Sequence, residues 1–260
     1  MQEGANETRA DGEFILETRT LLKEFKGFVA VSDVNLKVSR GSIHALIGPN
    51  GAGKTTVFNL LTKFLIPTRG TIHFRGQDIT REKPAEIARH GVVRSFQISA
   101  VFPHLTVLEN VRIGLQRGLK NSFHFWQGEA TLRQLNDRGM ELLASVGLES
   151  HAKVVAVELP YGRKRALEIA TTLALEPELL LLDEPTQGMA HEDVDRVKDL
   201  IRRVAANRTV LMVEHNMGVV ADLCDKITVL QRGSVIAEGS YAEVSTNPLV
   251  MEAYMGIADG

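Results

Sequence analysis

The segment Gly48-Pro49-Asn50-Gly51-Ala52-Gly53-Lys54-Thr55 decides the fold of this chain, because it fits the pattern G-x-x-x-x-G-K-[ST]. The apolar residues 43–47 before it are typical of a short strand, and residues 56–65 after it have an apolar helical face. A strand, a glycine-rich loop and a helix in this order predict backbone N–H groups that converge on phosphate oxygens at a helix N-terminus. A glycine-rich loop with a purely structural lysine is the alternative.

Each residue of this loop has an expected role toward a bound nucleotide. Lys54 is expected to reach the β- and γ-phosphates, and the Thr55 hydroxyl is expected to bind Mg²⁺. The remaining contacts with the nucleotide are predicted to come from neighbouring positions of the loop and of the first helical turn: Gly48, Asn50, Gly51, Gly53 and Thr56.

The composition limits the classes of protein that this chain can belong to. Its 260 residues, 44% apolar, suit one large domain or a core with a subdomain, and the net charge of −2 argues against a nucleic-acid partner. The single cysteine, Cys224, excludes an intrachain disulfide, and we expect a half-buried helix residue there instead of a reactive thiol. Residues 1–12 are predicted to be a flexible leader and not a signal peptide, and no apolar run has the length of about 20 residues that spans a membrane.

The hydrophobic pattern predicts an α/β protein. Alternation at Val34, Leu36 and Val38, and a second strand at 71–74, indicate a small antiparallel β subdomain. Apolar residues at helical spacing between 105 and 157 indicate a helical insertion. Strands near 179–182, 210–213 and 227–230 alternate with helices, which favours a mostly parallel sheet. We therefore predict a P-loop NTPase (RecA-like) core formed by residues 13–97 and 158–260, with an inserted α-helical subdomain at 98–157.

Two carboxylates follow the most apolar strand of the chain. Asp183 and Glu184 come directly after Leu179–Leu182, and the carboxyl ends of parallel strands form the ligand-binding edge of an open α/β sheet. There Asp183 is expected to hold the Mg²⁺ that Thr55 also binds, and Glu184 to accept a proton from the attacking water or to orient it. A polar turn without a catalytic role is the alternative.

Asp183-Glu184-Pro185-Thr186, taken with the phosphate loop, resembles the ATP-binding subunit of an ABC transporter over about residues 16–256. The resemblance implies that Gln97 contacts the metal and the attacking water, and that His215 hydrogen-bonds the γ-phosphate. It implies that Phe25 stacks on the adenine, although the residues alone also allow Phe25 a place in the core.

The segment Leu159-Pro160-Tyr161-Gly162-Arg163 occupies the place of the family signature, which presents backbone N–H groups to ATP held by the opposite subunit. Tyr161 and Gly162 are therefore expected to bind nucleotide. This version of the signature resembles that of the importers of branched-chain amino acids. Residues 184–189, 213–217 and 252–256 resemble the same branch. Arg163 departs from the family pattern and either binds the trans γ-phosphate or faces solvent. Ala190 replaces the usual Asp or Asn, which would weaken communication between two ATP sites.

The resemblance implies an ATPase, using ATP and Mg²⁺, that powers import of a small polar solute. The partners it implies are two transmembrane permease subunits, a second ABC ATPase subunit (a paralogue or a second copy) and a periplasmic or extracellular solute-binding protein. The expected location is the cytoplasmic face of the inner membrane, as a peripheral subunit. Residues 124–126 would then be a wedge at the groove for a membrane subunit's coupling helix, or local packing.

Three other classes of function compete with this interpretation. An ABC ATPase of an export or lipid-transport system is disfavoured by the Tyr161-Gly162 version of the signature. A non-transport ABC protein of DNA repair or translation would need a long coiled coil or a second cassette, and the sequence has neither. A binding or regulatory module without turnover is disfavoured because the residue types for hydrolysis are all present.

Overall fold

The computed structural model describes residues 13–95, 101–116 and 129–255. Its strands are β1 (Phe14–Phe25), β2 (Phe28–Val34), β3 (Lys37–Ser39), β4 (Ile43–Ile47), β5 (Arg69–Phe74), β6 (Gln77–Asp78), β7 (Val92–Ser95), β8 (Leu179–Asp183), β9 (Thr209–Val213), β10 (Lys226–Gln231) and β11 (Ser234–Gly239). Its α-helices are α1 (Lys54–Leu61), α2 (Pro84–His90), α3 (Val107–Gln116), α4 (Glu129–Ser145), α5 (Tyr161–Leu173), α6 (His191–Ala205), α7 (Met217–Leu223), α8 (Tyr241–Ser245) and α9 (Pro248–Met255).

The larger sheet has six strands in the order β11, β10, β4, β9, β8 and β7. All neighbours in it run parallel except the hairpin of β10 and β11. Strands β4 and β9 are buried along their whole length, as expected for parallel strands with both faces covered. The order brings the ends of β4, β8 and β9 to one edge of the sheet. The predicted fold class is confirmed.

The smaller sheet is antiparallel and contains β1, β2, β3, β5 and β6. The strand predicted through Val34, Leu36 and Val38 is wrong as a single element, although all three side chains are buried. Val34 ends β2 and Val38 lies in β3, and both strands pair with β1. The buried Thr18 hydroxyl separates them, because it donates to Val34 O (2.9 Å) and accepts from Leu36 N (2.8 Å).

Helix α1 begins at Lys54 and ends at Leu61, so the predicted range 56–65 is too long at its C-terminal end. The Thr62 hydroxyl donates to Phe58 O (2.7 Å), and Lys63 takes a left-handed conformation with φ 61°. A residue in that region cannot continue a right-handed helix. The helix therefore ends within three turns of the phosphate loop.

Two apolar cores lie on opposite faces of the larger sheet. Leu180 and Leu182 face the core built with helices α3 to α6, whereas Leu179 and Leu181 face the core shared with α1 and the smaller sheet. This alternation follows from the two-residue period of a strand. Helices α3 and α4 lie within the predicted insertion 98–157; the domain boundaries themselves stay a prediction. Within the described ranges, no helix has the length and apolar character to cross a membrane.

Candidate functional site

The phosphate loop connects the buried end of β4 to the start of α1. Gly48, Gly51 and Gly53 all have positive φ, at 148°, 75° and 102°. Gly48 also has no room for a side chain, because a Cβ there would lie 2.1 Å from Leu230 O on β10. A Cβ on Gly53 would lie 2.7 Å from Ala30 O on β2. Both sheets thus press on the loop, and only glycine fits these conformations.

Lys54 lies inside the curve of this loop and is almost completely buried. Its Nζ donates to Gly48 O (2.6 Å) and Pro49 O (3.0 Å). Burial lowers the pKa of Lys54, and the nearby carboxylates of Glu184 and Asp183 partly offset that effect. The structure therefore brings Lys54 to the two acidic residues. Thr55 and Asn50 are exposed beside it, and Thr56 is half-buried.

Asp183 ends β8 at the same edge of the sheet. Arg94, on the neighbouring strand β7, pairs with its Oδ2 through Nη2 and donates to Asn59 Oδ1 (2.7 Å) through Nη1. The Arg94 guanidinium also lies 5.7 Å from the Phe58 ring centroid. The role of Arg94 is not predictable from the sequence, because its partners are distant along the chain and no local motif marks it.

Glu184 and His215 approach each other at this edge. His215 Nδ1 lies 3.9 Å from Glu184 Oε1, and the His215 side chain is 55% exposed. Glu184 has a positive φ of 45°, and its N–H donates to Val213 O (2.9 Å), so β9 holds the strained residue in place. The structure thus brings Glu184 and His215 together just after the ends of β8 and β9.

A buried carboxyl lies behind these two residues. Glu214 is fully buried, and the Thr186 hydroxyl donates to its Oε1. Burial raises the pKa of Glu214, with a smaller opposing effect from the Thr186 hydrogen bond. Glu214 thus ties β9 to the turn after β8. Both residues lie in segments that carry the family resemblance, 183–186 and 213–217, but the sequence does not predict the contact between them.

Phe25 lies at the end of β1 in an exposed hairpin with Phe28. The two residues are cross-strand partners, 41% and 69% exposed, and Lys23 Nζ lies 5.0 Å from the Phe25 ring centroid. Phe25 is therefore not a core residue. Its hairpin continues into β2, which contacts the phosphate loop at Gly53.

The signature segment contacts a different part of the chain. Pro160 precedes the first turn of α5, where its missing N–H costs no hydrogen bond. Tyr161 is exposed, and its hydroxyl donates to Gln187 O (3.2 Å). Gly162 lies against the Asp193 side chain, and Arg163 is exposed. Gln97 and residues 124–126 lie outside the described residues.

A groove of about 800 Å³ opens between the helical part and the core. Phe64 and Phe102 in its lining are more than half exposed, and Ile113 is 39% exposed. Exposed aromatic side chains clustered in a groove are typical of a protein contact. The groove reaches Arg94, which pairs with Asp183, so it adjoins the candidate site.

Away from the sheet edge that carries Asp183, the described residues offer little support for a metal site or a reactive thiol. Across 13–95, 101–116 and 129–255, no group of three or more His, Cys, Asp or Glu side chains could hold a metal ion. A site made of one hydroxyl, one carboxylate and substrate phosphates is the kind that suits Mg²⁺. Cys224 is half-buried as predicted, but it lies directly after α7 and not within a helix. Burial raises its pKa to about 12, which agrees with the predicted unreactive thiol.

Comparison with known proteins gives consistent matches. The family described as ABC transporter matches residues 31–187, and the family described as branched-chain amino acid ATP-binding cassette transporter matches residues 234–260. The high-affinity branched-chain amino acid transport ATP-binding protein LivG of Escherichia coli (strain K12) is 40% identical over 256 residues, covering 94% of this chain and 98% of LivG. BraF of Pseudomonas aeruginosa, with the same description, is 39% identical over 254 residues, covering 94% and 98%.

Solved structures agree with the sequence relatives. The ADP conformation of MJ1267, an ATP-binding cassette of an ABC transporter, superposes with a TM-score of 0.84 at 31% identity, covering 94% of this chain and 99% of MJ1267. A nucleotide-free ATP-binding cassette from an ABC transporter superposes with a TM-score of 0.82, also at 31% identity, covering 93% and 98%.

Proposed function

The chain belongs to the ABC transporter family of ATP-binding ATPases, and from that premise we propose that it powers import of a branched-chain amino acid or a similar small polar amide or acid. The C-terminal family match and the names of LivG and BraF support this class of solute. The observation that carries the hydrolytic role is the meeting of Lys54, Asp183, Glu184 and His215 at one sheet edge.

ATP is the substrate, and the phosphate loop is its binding site. Lys54 replaces its two loop-carbonyl bonds with contacts to the β- and γ-phosphates, while backbone N–H groups of Gly51, Gly53 and the first turn of α1 surround the phosphates. Asn50 and Thr56 flank that contact, and Gly48 lets the loop turn tightly against β10. Phe25 offers a flat exposed ring for the adenine.

The donor set at this edge fits Mg²⁺. Thr55 supplies a hydroxyl, Asp183 a carboxylate, and Gln97 the amide oxygen that the family resemblance implies, and Mg²⁺ prefers such oxygen ligands. When bound, the ion neutralises charge on the phosphate oxygens. Arg94 holds the Asp183 carboxylate at this edge and fixes its orientation.

Glu184 is the residue that orients the attacking water and accepts its proton. Its backbone N–H donates to Val213 O (2.9 Å), so β9 holds the main chain from which the catalytic carboxylate extends. His215, 3.9 Å from Glu184, donates to the γ-phosphate. The family resemblance gives Gln97 a contact with the same water.

The second half of the ATP site comes from another ATPase subunit, a paralogue or a second copy. Tyr161 and Gly162 start the exposed end of α5 and contact Gln187 and Asp193 instead of the phosphate loop. Their backbone N–H groups and the helix dipole are free to meet a phosphate held by a partner. Family members act with membrane permease subunits, and two of these, with a solute-binding protein, complete the complex.

The groove lined by Phe64, Phe102 and Ile113 is the contact for a permease segment at the cytoplasmic face of the inner membrane. Its apolar lining and its continuity with Arg94 support this assignment. A permease segment seated there lies next to the strand that leads to Gln97. Movement of the membrane subunits then reaches Asp183 through β7 and Arg94.

The test measures ATP hydrolysis by the purified chain beside Glu184→Gln, with sizing in ATP and Mg²⁺. We expect the wild type to hydrolyse ATP, and the variant to lose nearly all turnover and accumulate an ATP-bound dimer. ATP binding without dimer or turnover in either protein indicates that a different ATPase chain is required. Failure to bind ATP contradicts the proposal.

A further inference from the structure

Helix α5 contains a buried ion pair to which the proposed chemistry gives no role. Arg165 and Glu168 are 4% and 1% exposed, and Arg165 Nη1 lies 2.5 Å from Glu168 Oε2. They lie one turn apart on α5, and Arg165 is about one turn after the exposed Tyr161 that begins the helix. Buried Arg and Glu residues are rare unless they are paired, so the position of this pair requires a reason.

The pair joins α5 to two strand ends of the catalytic edge. Arg165 Nη2 donates to Asp183 O (3.1 Å) at the end of β8. Glu168 Oε1 accepts from the Ser95 hydroxyl (2.6 Å) at the end of β7. Ser95 lies two residues before Gln97, and Asp183 lies directly before Glu184. One helix is thereby bonded to the main-chain carbonyl directly before Glu184 and to the side chain two positions before Gln97 in the sequence.

Stability alone does not explain this arrangement. Burial of two charges carries a desolvation cost that their attraction only partly repays, and apolar residues of similar size often serve as well. Burial also raises the pKa of Glu168, with Arg165 the largest opposing influence. The guanidinium contributes geometry, because one nitrogen holds Glu168 while the other holds Asp183 O, a fork that a lysine lacks.

We infer that Arg165 and Glu168 are positioning residues for ATP hydrolysis, which fix the signature end of α5 to the ends of β7 and β8. A rotation of α5, such as contact of Tyr161 and Gly162 with a partner's nucleotide would impose, moves Asp183 and Ser95, the two residues to which the pair is bonded. The phosphate loop is not part of this connection. The inference rests on the proposed roles of Glu184, Gln97 and the signature segment.

The test is Arg165→Lys, which keeps a positive charge for Glu168 and gives up the second arm of the fork. We expect kcat for ATP hydrolysis to fall by about tenfold or more, because small misplacements of reacting groups cost that much. Affinity for a fluorescent ATP analogue should stay within about twofold of wild type, since the loop is untouched. All variants are measured in the same assembly, this chain alone or with a second ATPase chain, in which the wild type hydrolyses ATP.

Leu167→Ala is the matched control. Leu167 is buried on the same helix, and its apolar side chain cannot form the hydrogen bonds that Arg165 and Glu168 make with Asp183 and Ser95. This variant should lower the thermal midpoint more than Arg165→Lys does, yet leave kcat within about twofold of wild type. Ser95→Ala removes only the hydroxyl that Glu168 accepts and should lower kcat by about threefold at unchanged ATP affinity.

A change in kcat below about twofold for Arg165→Lys overturns the inference. The inference is also overturned if Arg165→Lys and Leu167→Ala lose kcat in the same proportion to their loss of thermal midpoint, because destabilisation alone then explains both. If Arg165→Lys fails to fold, Ser95→Ala takes its place in the test. A change in its kcat below about twofold, or a loss of kcat in the same proportion to thermal midpoint as in Leu167→Ala, overturns the inference. A wild-type chain that never hydrolyses ATP in any subunit composition refutes the proposed function instead.

Discussion

The phosphate loop and the signature segment are both expected to bind ATP, yet they are built differently. The loop is enclosed by β10, β2 and α1, with Gly48 and Gly53 pressed against backbone atoms and Lys54 bonded to loop carbonyls. The signature segment lies at an exposed helix end, where Tyr161 donates one hydrogen bond to Gln187 O (3.2 Å).

The difference indicates which half of the site one chain can complete. The loop has its shape before a nucleotide arrives, because its conformation is determined by contacts within the chain. The signature segment presents its helix N-terminus outward, and its own anchoring lies one turn deeper, at Arg165 and Glu168. Substitutions that alter the shape of the phosphate loop should therefore lower the stability of the chain. Substitutions in the signature segment should lower ATP hydrolysis more than they lower stability.

The largest effect is expected from Lys54→Met, which keeps the side-chain stem and removes the ammonium group. We expect kcat/KM for ATP to fall by about 10²–10³, in line with the loss of a preorganised charged donor. The free energy of unfolding should not fall, because Lys54 is a buried cation whose pKa burial lowers. Steady-state kinetics with chemical denaturation checks both results. Lys37→Met, at an exposed position of β3, is the control and should change neither.

Gly48→Ala and Gly51→Ala test how tightly the loop is enclosed. At Gly48 a Cβ would lie 2.1 Å from Leu230 O, whereas at Gly51 it meets nothing within 4 Å. We expect Gly48→Ala to lower the free energy of unfolding by about 2–5 kcal/mol, and Gly51→Ala by about 1–2 kcal/mol from positive φ alone. Denaturant titration measures the free energy of unfolding of both variants. Equal losses would show that contact with the surrounding backbone atoms does not restrict the loop.

The strand that leads into the loop should make the chain sensitive to acid. His44 on β4 is buried, its Nε2 lies 2.8 Å from Thr228 Oγ1, and burial lowers its pKa to about 4. The unfolded chain therefore takes up this proton first as the pH falls. The stabilising effect is complete above pH 6.5 and is lost toward pH 4, at a cost of about 3 kcal/mol.

Denaturation of the wild type and of His44→Gln across that range isolates this contribution. The slope of the free energy of unfolding against pH should be lower in the variant, whatever its absolute stability. An unchanged slope would assign the acid sensitivity to other groups.

The smallest effect is expected from Tyr161→Phe at the signature end. The variant loses one exposed hydroxyl bond, so the free energy of unfolding should change by less than about 1 kcal/mol. ATP hydrolysis should fall by no more than about fivefold, because the backbone N–H groups and the helix dipole remain. A stability loss as large as that of Gly48→Ala would remove the contrast between the two regions.

The family, the fold class and the parallel core could be predicted because their signals are local. The pattern at 48–55, the apolar run 179–182 and the carboxylates after it each lie within a few residues. The roles given to Phe25, Gln97, Tyr161 and His215 rest on family resemblance and stay predictions, although the structure does bring His215 to Glu184.

The contacts that the sequence could not predict join residues far apart in the chain. Arg94 and Asp183 are separated by 89 positions, and Ser95 and Glu168 by 73. No spacing rule connects such residues before the sheet order is known. The division of the strand at 34–38 was missed for the same reason, since Thr18, which separates β2 from β3, lies on another strand.

The central claim is that one chain's phosphate loop and another's signature segment form a single ATP site. Lys54→Met and Gly162→Asp chains, each inactive alone, should regain hydrolysis when mixed in equal amounts. About a quarter of wild-type activity is expected, because half of random pairs are mixed and each mixed pair has one complete site. If the mixture stays inactive although sizing detects mixed ATP-bound pairs, the site is not shared and the account is contradicted.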